Sequence, residues 1–148
     1  MTDITIRDAR TSDGSALAEL CTQLGYPTEP AVVPARLDRL AADENACILV
    51  AECGDAVVGL TTIHLRYTMN HDAPIAQLTL LVVDEKHRTL GAGRALVHAA
   101  ETWARERGSK RLVVTTALNR SVAHAFYERL GFVHTGRRYA RDFPVGGR

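Results

Sequence analysis

The chain has 148 residues, of which 46% are hydrophobic and 24% charged, a composition that excludes disorder, a collagen-like repeat and a coiled coil and suffices for one domain with its own core. Eighteen Lys plus Arg against seventeen Asp plus Glu leave a net charge of +1, so no global field draws the chain to nucleic acid or to an anionic membrane, and any anion site must be local. The longest strand-like apolar run, Leu78 to Val83, is far short of the roughly 20 residues needed to cross a bilayer, so no membrane span is expected.

The segment from Met1 to Arg7 has neither a basic region followed by an apolar one nor an Arg/Ser-rich amphipathic character, which leaves the cytoplasm as the expected location. Ile4 and Ile6 alternate with polar neighbours as in a half-buried strand. Ser12 or Asp13 can then cap a helix that buries Leu17, Leu20, Cys21 and Leu24 and stops at Gly25. Tyr26-Pro27-Thr28-Glu29-Pro30 reads as a rigid loop, and Pro34 sets the start of a second helix through Leu37, Leu40 and Ala41.

Cys47 to Cys53 and Ala56 to Thr68 are β-rich and flank Gly54-Asp55, which predicts a hairpin. Ile75 to Val83 becomes apolar on both faces, as a strand covered by helices on two sides does. A helix with Leu96, Ala99, Ala100 and Trp103 on one stripe follows Gly91-Ala92-Gly93 and stops at Gly108, and Arg111 to Thr116 reads as the next strand. Ala123, Phe126, Tyr127 and Leu130 stripe a last helix ending at Gly131, after which Phe132 to Tyr139 can return as a final strand. The pattern predicts a single α/β (α+β) domain over residues 1–148, a mixed sheet flanked by about four helices. Cys21, Cys47 and Cys53 form no C-x-x-C pair, and two of them lie about 20 Å apart along one strand, so reduced thiols are expected.

Arg88-Thr89-Leu90-Gly91-Ala92-Gly93-Arg94 joins the buried strand to the third helix. Two readings stand for it. One is a plain glycine turn with solvated arginines; the other is an anion site, in which the free N–H groups and positive dipole end of the helix, with Arg88 and Arg94, hold a diphosphate. The chain lacks the third glycine of a dinucleotide fingerprint and the Gly-Lys-Ser/Thr of a Walker loop.

Downstream runs Asn119-Arg120-Ser121-Val122-Ala123-His124-Ala125-Phe126-Tyr127-Glu128-Arg129-Leu130-Gly131-Phe132. Together, in order and separation, the two motifs resemble the GNAT superfamily of acyl-CoA-dependent N-acetyltransferases: the Arg/Gln-x-x-Gly-x-Gly/Ala pyrophosphate loop and the Asn-x-x-Ala-x-x-Phe-Tyr-x-x-x-Gly-Phe segment. The resemblance implies a mostly antiparallel sheet and acetyl-CoA as co-substrate. It implies that the strand through Leu81, Val82 and Val83 splays from its neighbour so that pantetheine pairs with its backbone. Arg88, Thr89, Leu90, Gly91, Ala92, Gly93 and Arg94 are then pyrophosphate ligands, Asn119 lies near the pantetheine arm, and Tyr127 donates a proton to the leaving thiolate. From the residues alone, Tyr127 reads as an amphipathic core side chain beside Phe126, and the proton-donor role comes from the resemblance. Thioester aminolysis needs a donor for the developing oxyanion, for which the Val83 N–H is the candidate.

Many members place a glutamate four residues before the last valine of this strand to relay the amine's proton; here that position is Thr79, which cannot act as a base at neutral pH. Gln77, on the same strand face, is either a buried, satisfied amide or an orienting group for water or substrate. His64, His71 and Asp72 are candidates for the base and equally plain surface residues. Six histidines show no pairing at ligand spacing, so no metal is expected. Arg137, Arg138 and Arg141 lack interleaved aromatics, so no nucleic-acid site is expected.

Tyr26-Pro27-Thr28 and Ala123-His124-Ala125-Phe126-Tyr127 resemble a branch labelled aminoglycoside 6′-N-acetyltransferase-like. The expected acceptor is a primary amine of a small molecule, aminoglycoside or polyamine-like, with Tyr26, Gln77 and Thr79 as substrate contacts. Relatives of this kind commonly form homodimers. A CoA-binding sensor without turnover and a protein N-terminal or lysine acetyltransferase are the alternatives.

Overall fold

A computed structural model describes residues 3–115 and 121–144 of the chain. They fall into two compact units, Met1–Val114 and Thr115–Arg148.

The first unit is a five-stranded mixed sheet in the order β1 (Ile4–Asp8), β2 (Ala46–Cys53), β3 (Ala56–Arg66), β4 (Ile75–Val83), β5 (Leu112–Val114). All neighbours are antiparallel except β4 and β5, which run parallel. Its helices are α1 (Gly14–Leu24), α2 (Val33–Ala41) and α3 (Ala92–Glu106). Fold class and element order match the expectation. The Gly54-Asp55 hairpin closes with Cys53 opposite Ala56, and α1 and α3 end at Gly25 and Gly108, both in the left-handed conformation.

Period-two alternation sorts the sheet into two faces. On one, Val50, Leu60 and Val82 pack with Leu17, Ala18 and Leu20 of α1 and Val33 and Leu37 of α2. On the other lies α3, whose buried stripe is Leu96, Val97, Ala100 and Ala104. This stripe is rotated from the expected one: Trp103 is only half-buried and lies under the Arg107 guanidinium, 4.3 Å from its ring centre. Gly59 makes the close helix approach possible, because a Cβ there would come within 3.0 Å of Leu96 Cδ1 and 3.3 Å of Ala51 Cβ. Gly59 also pairs with Val83, so the first turns of α3 are seated over the end of β4.

Asp13 precedes α1, yet its carboxylate does not cap that helix. It accepts from Arg7 Nη1 and Nη2 at 2.9 and 2.8 Å and from the Arg10 N–H at 2.8 Å, while Arg7 Nη2 also donates to Glu52 at 3.1 Å. The Arg7 fork holds the buried Asp13 carboxyl below the usual carboxylate range. The bridge ties β1 to β2 and to the entry of α1. All three cysteines are free thiols, and burial pushes the pKa of the Cys47 thiol up to about 11.

The second unit contains α4 (Ser121–Arg129). Gly131, left-handed, ends it, with the Phe132 N–H donating to the Tyr127 carbonyl at 3.0 Å. The expected final strand, Phe132 to Tyr139, is not formed. Val133 and Tyr139 are 78% and 86% exposed, and no ladder partner lies alongside among the described residues. Phe132 and Val133 are adjacent, so they point to opposite faces, and His134 to Arg138 separate them from Tyr139, which leaves no continuous apolar face to bury. Smaller differences fall at strand ends: β3 stops at Arg66 rather than Thr68, and β5 begins at Leu112 rather than Arg111 and is described to Val114, the expected end at Thr116 lying outside the described residues.

Gly59→Val is expected to lower the unfolding free energy by about 1–3 kcal/mol, because Leu96 is fully packed and cannot yield. Urea melts check this, and a variant as stable as the parent contradicts the seating of α3.

Candidate active site

β4 is bonded unequally on its two edges. Toward β3 it pairs from Arg66↔Ile75 to Gly59↔Val83; toward β5 it pairs only through Ala76, Gln77 and Leu78. From Thr79 to Val83 the second edge has no strand partner among the described residues. Thr79 is an extra residue in this ladder, since Ile63 faces Leu78 while Thr62 faces Leu80. The bulge changes which residues point outward. Ala76 donates its N–H to Arg111 on the β5 side, whereas the Asp84 N–H donates to Val58 on the β3 side at 2.7 Å. Alternation back from Asp84 then sets the phase of the strand end: Leu80 and Val82 bond toward β3, and Leu81 and Val83 turn their N–H and C=O groups outward.

The chain after β4 forms a 3-10 turn over Glu85–Leu90 and enters α3 at Gly91. Gly91 has φ 81, a conformation that costs a residue with a Cβ about 1–2 kcal/mol, and the space where a Cβ would project is open. No side chain caps α3, and its first intrahelical bond is Ala95 N–H to the Gly91 carbonyl, so the N–H groups of Ala92, Gly93 and Arg94 have no intrahelical acceptor. Ala92 is buried, while Arg88 and Arg94 are exposed and form no ion pair among the described residues. Leu90 is 36% exposed and Thr89 lies in the 3-10 turn. The arrangement is a short run of backbone donors with two exposed arginines in the same segment, a chemistry that suits an anion.

The turn is anchored from α1 by residues whose spacing gives no warning. Gln23 Nε2 donates to Asp84 Oδ1 at 2.8 Å, and the Glu85 N–H donates to Gln23 Oε1 at 3.1 Å. His87 Nδ1 lies 2.5 Å from Asp84 Oδ2. The Gln23 amide, with His87, holds the Asp84 carboxyl below the usual carboxylate range.

A polar patch occupies the face of β3 and β4 that carries α1 and α2, beyond the point where Leu60 and Val82 are covered. Thr79 Oγ1 lies 2.6 Å from Thr62 Oγ1, 3.0 Å from His64 Nδ1 and 3.3 Å from the Thr62 carbonyl oxygen. Gln77 stands opposite His64 in register and is half-buried. Of the remaining candidates, His71 and Asp72 are exposed between β3 and β4, and Tyr26 is 64% exposed after α1 with no hydrogen bond from its hydroxyl among the described residues. Tyr127 belongs to the second unit, half-buried, with its ring edge-on to Phe126 and Phe132 at centroid distances of 5.4 and 5.5 Å. Asn119 lies outside the described residues. Among the described residues there is no group of three His, Cys, Asp or Glu able to hold a metal ion, and no helix long and apolar enough to cross a membrane.

A profile of the acetyltransferase (GNAT) family matches residues 15–132. The chain belongs to this family. Acetyl-CoA is the family's co-substrate, and the chain is an acyltransferase of the N-acetyltransferase kind. Over 136 residues this GNAT protein is 29% identical to aminoglycoside N(6′)-acetyltransferase type 1 of Stenotrophomonas maltophilia, a match covering 90% of this chain and 88% of that one. Aminoglycoside N-acetyltransferase AAC(6′)-Iy in complex with CoA shares the fold, with a TM-score of 0.84 and 18% identity over 96% of this chain and 95% of that one. A transcriptional regulator from Bacillus halodurans C-125 superposes with a TM-score of 0.84 at 26% identity, over 95% of this chain and 100% of that one.

A depressed carboxyl contributes its anchoring fully above pH about 4 and loses it as pH falls through its folded value. Asp84→Ala is therefore expected to cost about 1–2 kcal/mol at pH 7 and less in acid, and to speed amide exchange across Glu85–Leu90. Unchanged exchange in that turn contradicts the anchor.

Proposed function

We propose that this acetyltransferase moves the acetyl group of acetyl-CoA to a primary amine of a small molecule, an aminoglycoside or a polyamine-like compound, by direct attack, with residues 1–148 acting as one N-acetyltransferase domain. The observation that carries the proposal is the outward-facing backbone of Leu81 and Val83, leading directly into the uncapped start of α3. Pantetheine amides have the donors and acceptors to pair with such an edge, and a diphosphate has the charge to suit Ala92, Gly93, Arg94 and Arg88. The family match runs over residues 15–132, across both units, which favours a single functional domain. The identity to an aminoglycoside acetyltransferase over 90% of the chain favours a small amine as acceptor.

In this reading the acceptor nitrogen attacks the thioester carbonyl, and the Val83 N–H, free on the open edge, receives the developing oxyanion. The C–S bond breaks as the Tyr127 hydroxyl gives its proton to sulfur. A phenol of pKa about 10 protonating a thiolate of about 8.5 is uphill by about 2 kcal/mol in water, a gap that burial of the thiolate closes. Asn119 is assigned to the pantetheine arm, and Tyr26, Gln77 and Thr79 to the acceptor side.

Gly91→Val is expected to weaken acetyl-CoA binding by about 10- to 100-fold, the equivalent of one charge-assisted hydrogen bond. Calorimetric titration checks it, and normal affinity overturns this position for the phosphates. Tyr127→Phe is expected to lower kcat about 10- to 1,000-fold with acetyl-CoA affinity preserved. Thiol release measured with saturating acetyl-CoA across aminoglycosides, polyamines and peptides tests the whole reading: turnover with a small amine supports it, and binding of acetyl-CoA without thiol release in any arm overturns it in favour of a sensor.

A further inference from the structure

We infer that His64 is the base that takes the proton from the acceptor's ammonium group, through Nε2, and that Thr79 is the positioning residue that holds the ring in the required tautomer. The inference rests on the acetyl-transfer reading above. It starts from where the pair sits: Thr79 is the first residue of β4 past its pairing with β5, so the His64 ring lies at the point where the open edge begins, on the face that α1 and α2 leave uncovered.

The tautomer is part of the proposal. The Thr79 hydroxyl has one hydrogen and two acceptor sites, and three partners surround it. In the arrangement we assign, the Thr79 hydrogen goes to the Thr62 carbonyl, 3.3 Å away, which can only accept, rather than to Nδ1. Thr79 Oγ1 then accepts from the Thr62 hydroxyl at 2.6 Å and from His64 Nδ1–H at 3.0 Å, which satisfies every partner. With its hydrogen on Nδ1, the neutral ring carries its lone pair on Nε2, and no other hydrogen bond or ion pair engages the ring among the described residues. Protonation at Nε2 leaves the Nδ1–H bond to Thr79 in place, so the ring need not turn when it takes the proton.

The proton balance follows. The acceptor's R–NH3+ gives one proton to His64 Nε2 and becomes the nucleophile. The N–C bond forms, the C–S bond breaks as Tyr127 protonates sulfur, the nitrogen loses its second proton to solvent, solvent returns one to the Tyr127 phenolate, and imidazolium releases its proton, so that one proton is set free per turnover. Around the ring stand Thr62 and Arg66 along β3, Ala46 and Ile48 on β2, and Gln77 and Thr79 on β4. Arg66, exposed, is the one charged group of these; from the helices on this face come the Cys21 thiol of α1, which burial pushes up, and Arg36 of α2, which acts on that thiol. A fall in activity toward acid that is the same for acceptors of different basicity belongs to His64, and one that moves with the acceptor belongs to its ammonium group.

The test is thiol release from acetyl-CoA with kanamycin, spermidine and benzylamine over pH about 5.5 to 9, a range that brackets the ordinary histidine value, with acetyl-CoA affinity measured for each variant. His64→Gln is expected to lower kcat/KM about 10²- to 10⁴-fold at neutral pH, to replace an acid limb common to the three amines by one that moves with each acceptor's own basicity, and to leave acetyl-CoA affinity within about twofold. Thr79→Val is expected to displace the acid limb and Thr79→Ser to restore it. Nitrogen-15 spectra of the ring are expected to report Nδ1–H in the parent and a tautomer mixture in Thr79→Val. A parent that turns over while His64→Gln keeps its rate and its acid limb overturns the assignment alone. A parent that releases no thiol with any of the three amines overturns the acetyl-transfer reading and this assignment with it.

Discussion

A strand that has lost a neighbour along part of one edge presents backbone donors and acceptors that must be bonded to something, and this requirement organises the first unit. β4 is locked to β3 over its whole length but parallel to β5 for three residues only. Past Leu78 its outer edge has no strand partner among the described residues, and the bulge at Thr79 decides that Leu81 and Val83 rather than Leu80 and Val82 face that edge. One inserted residue therefore sets the phase of the groups that face outward.

The helix start next to that edge is held by two independent ties. Gly59 lets Leu96 sit directly over the β3–β4 ladder, which fixes α3 relative to the end of β4. Gln23 reaches from α1 to both the side chain of Asp84 and the backbone of Glu85, which fixes the turn between them. Strand edge, turn and helix N-terminus thus form one continuous sequence of backbone donors. The polar patch of Thr62, His64 and Thr79 adjoins its near end, on the opposite side of Leu80 from the turn over Glu85–Leu90.

Much of this was legible in the sequence because it rests on local rules. Helix stops at Gly25, Gly108 and Gly131, the Gly54-Asp55 hairpin and the glycine turn before α3 each follow from residue type and spacing, and they are where the chain puts them. What was not legible depends on pairing across the sheet. Nothing in Gln77-Leu78-Thr79-Leu80 marks the third residue as a bulge, and His64 meets Thr79 only because β3 and β4 take one register. Gln23 and Asp84 are separated by 61 positions, so their bond has no local signature. The segment from Phe132 to Tyr139 fails in the other direction: its place after the last helix predicts a returning strand, but Val133 and Tyr139 are exposed and the segment is not a strand.

The central claim is that the acyl donor lies along the outer edge of β4 with its diphosphate at the start of α3. Residue-resolved amide exchange with and without CoA tests it most directly, because alternation gives adjacent amides opposite fates. The account predicts slowed exchange at Leu81, Val83 and Ala92 to Arg94 on adding CoA, with Leu80 and Val82, already bonded to β3, unchanged. Protection confined to other elements, or no protection at saturating CoA, would contradict it.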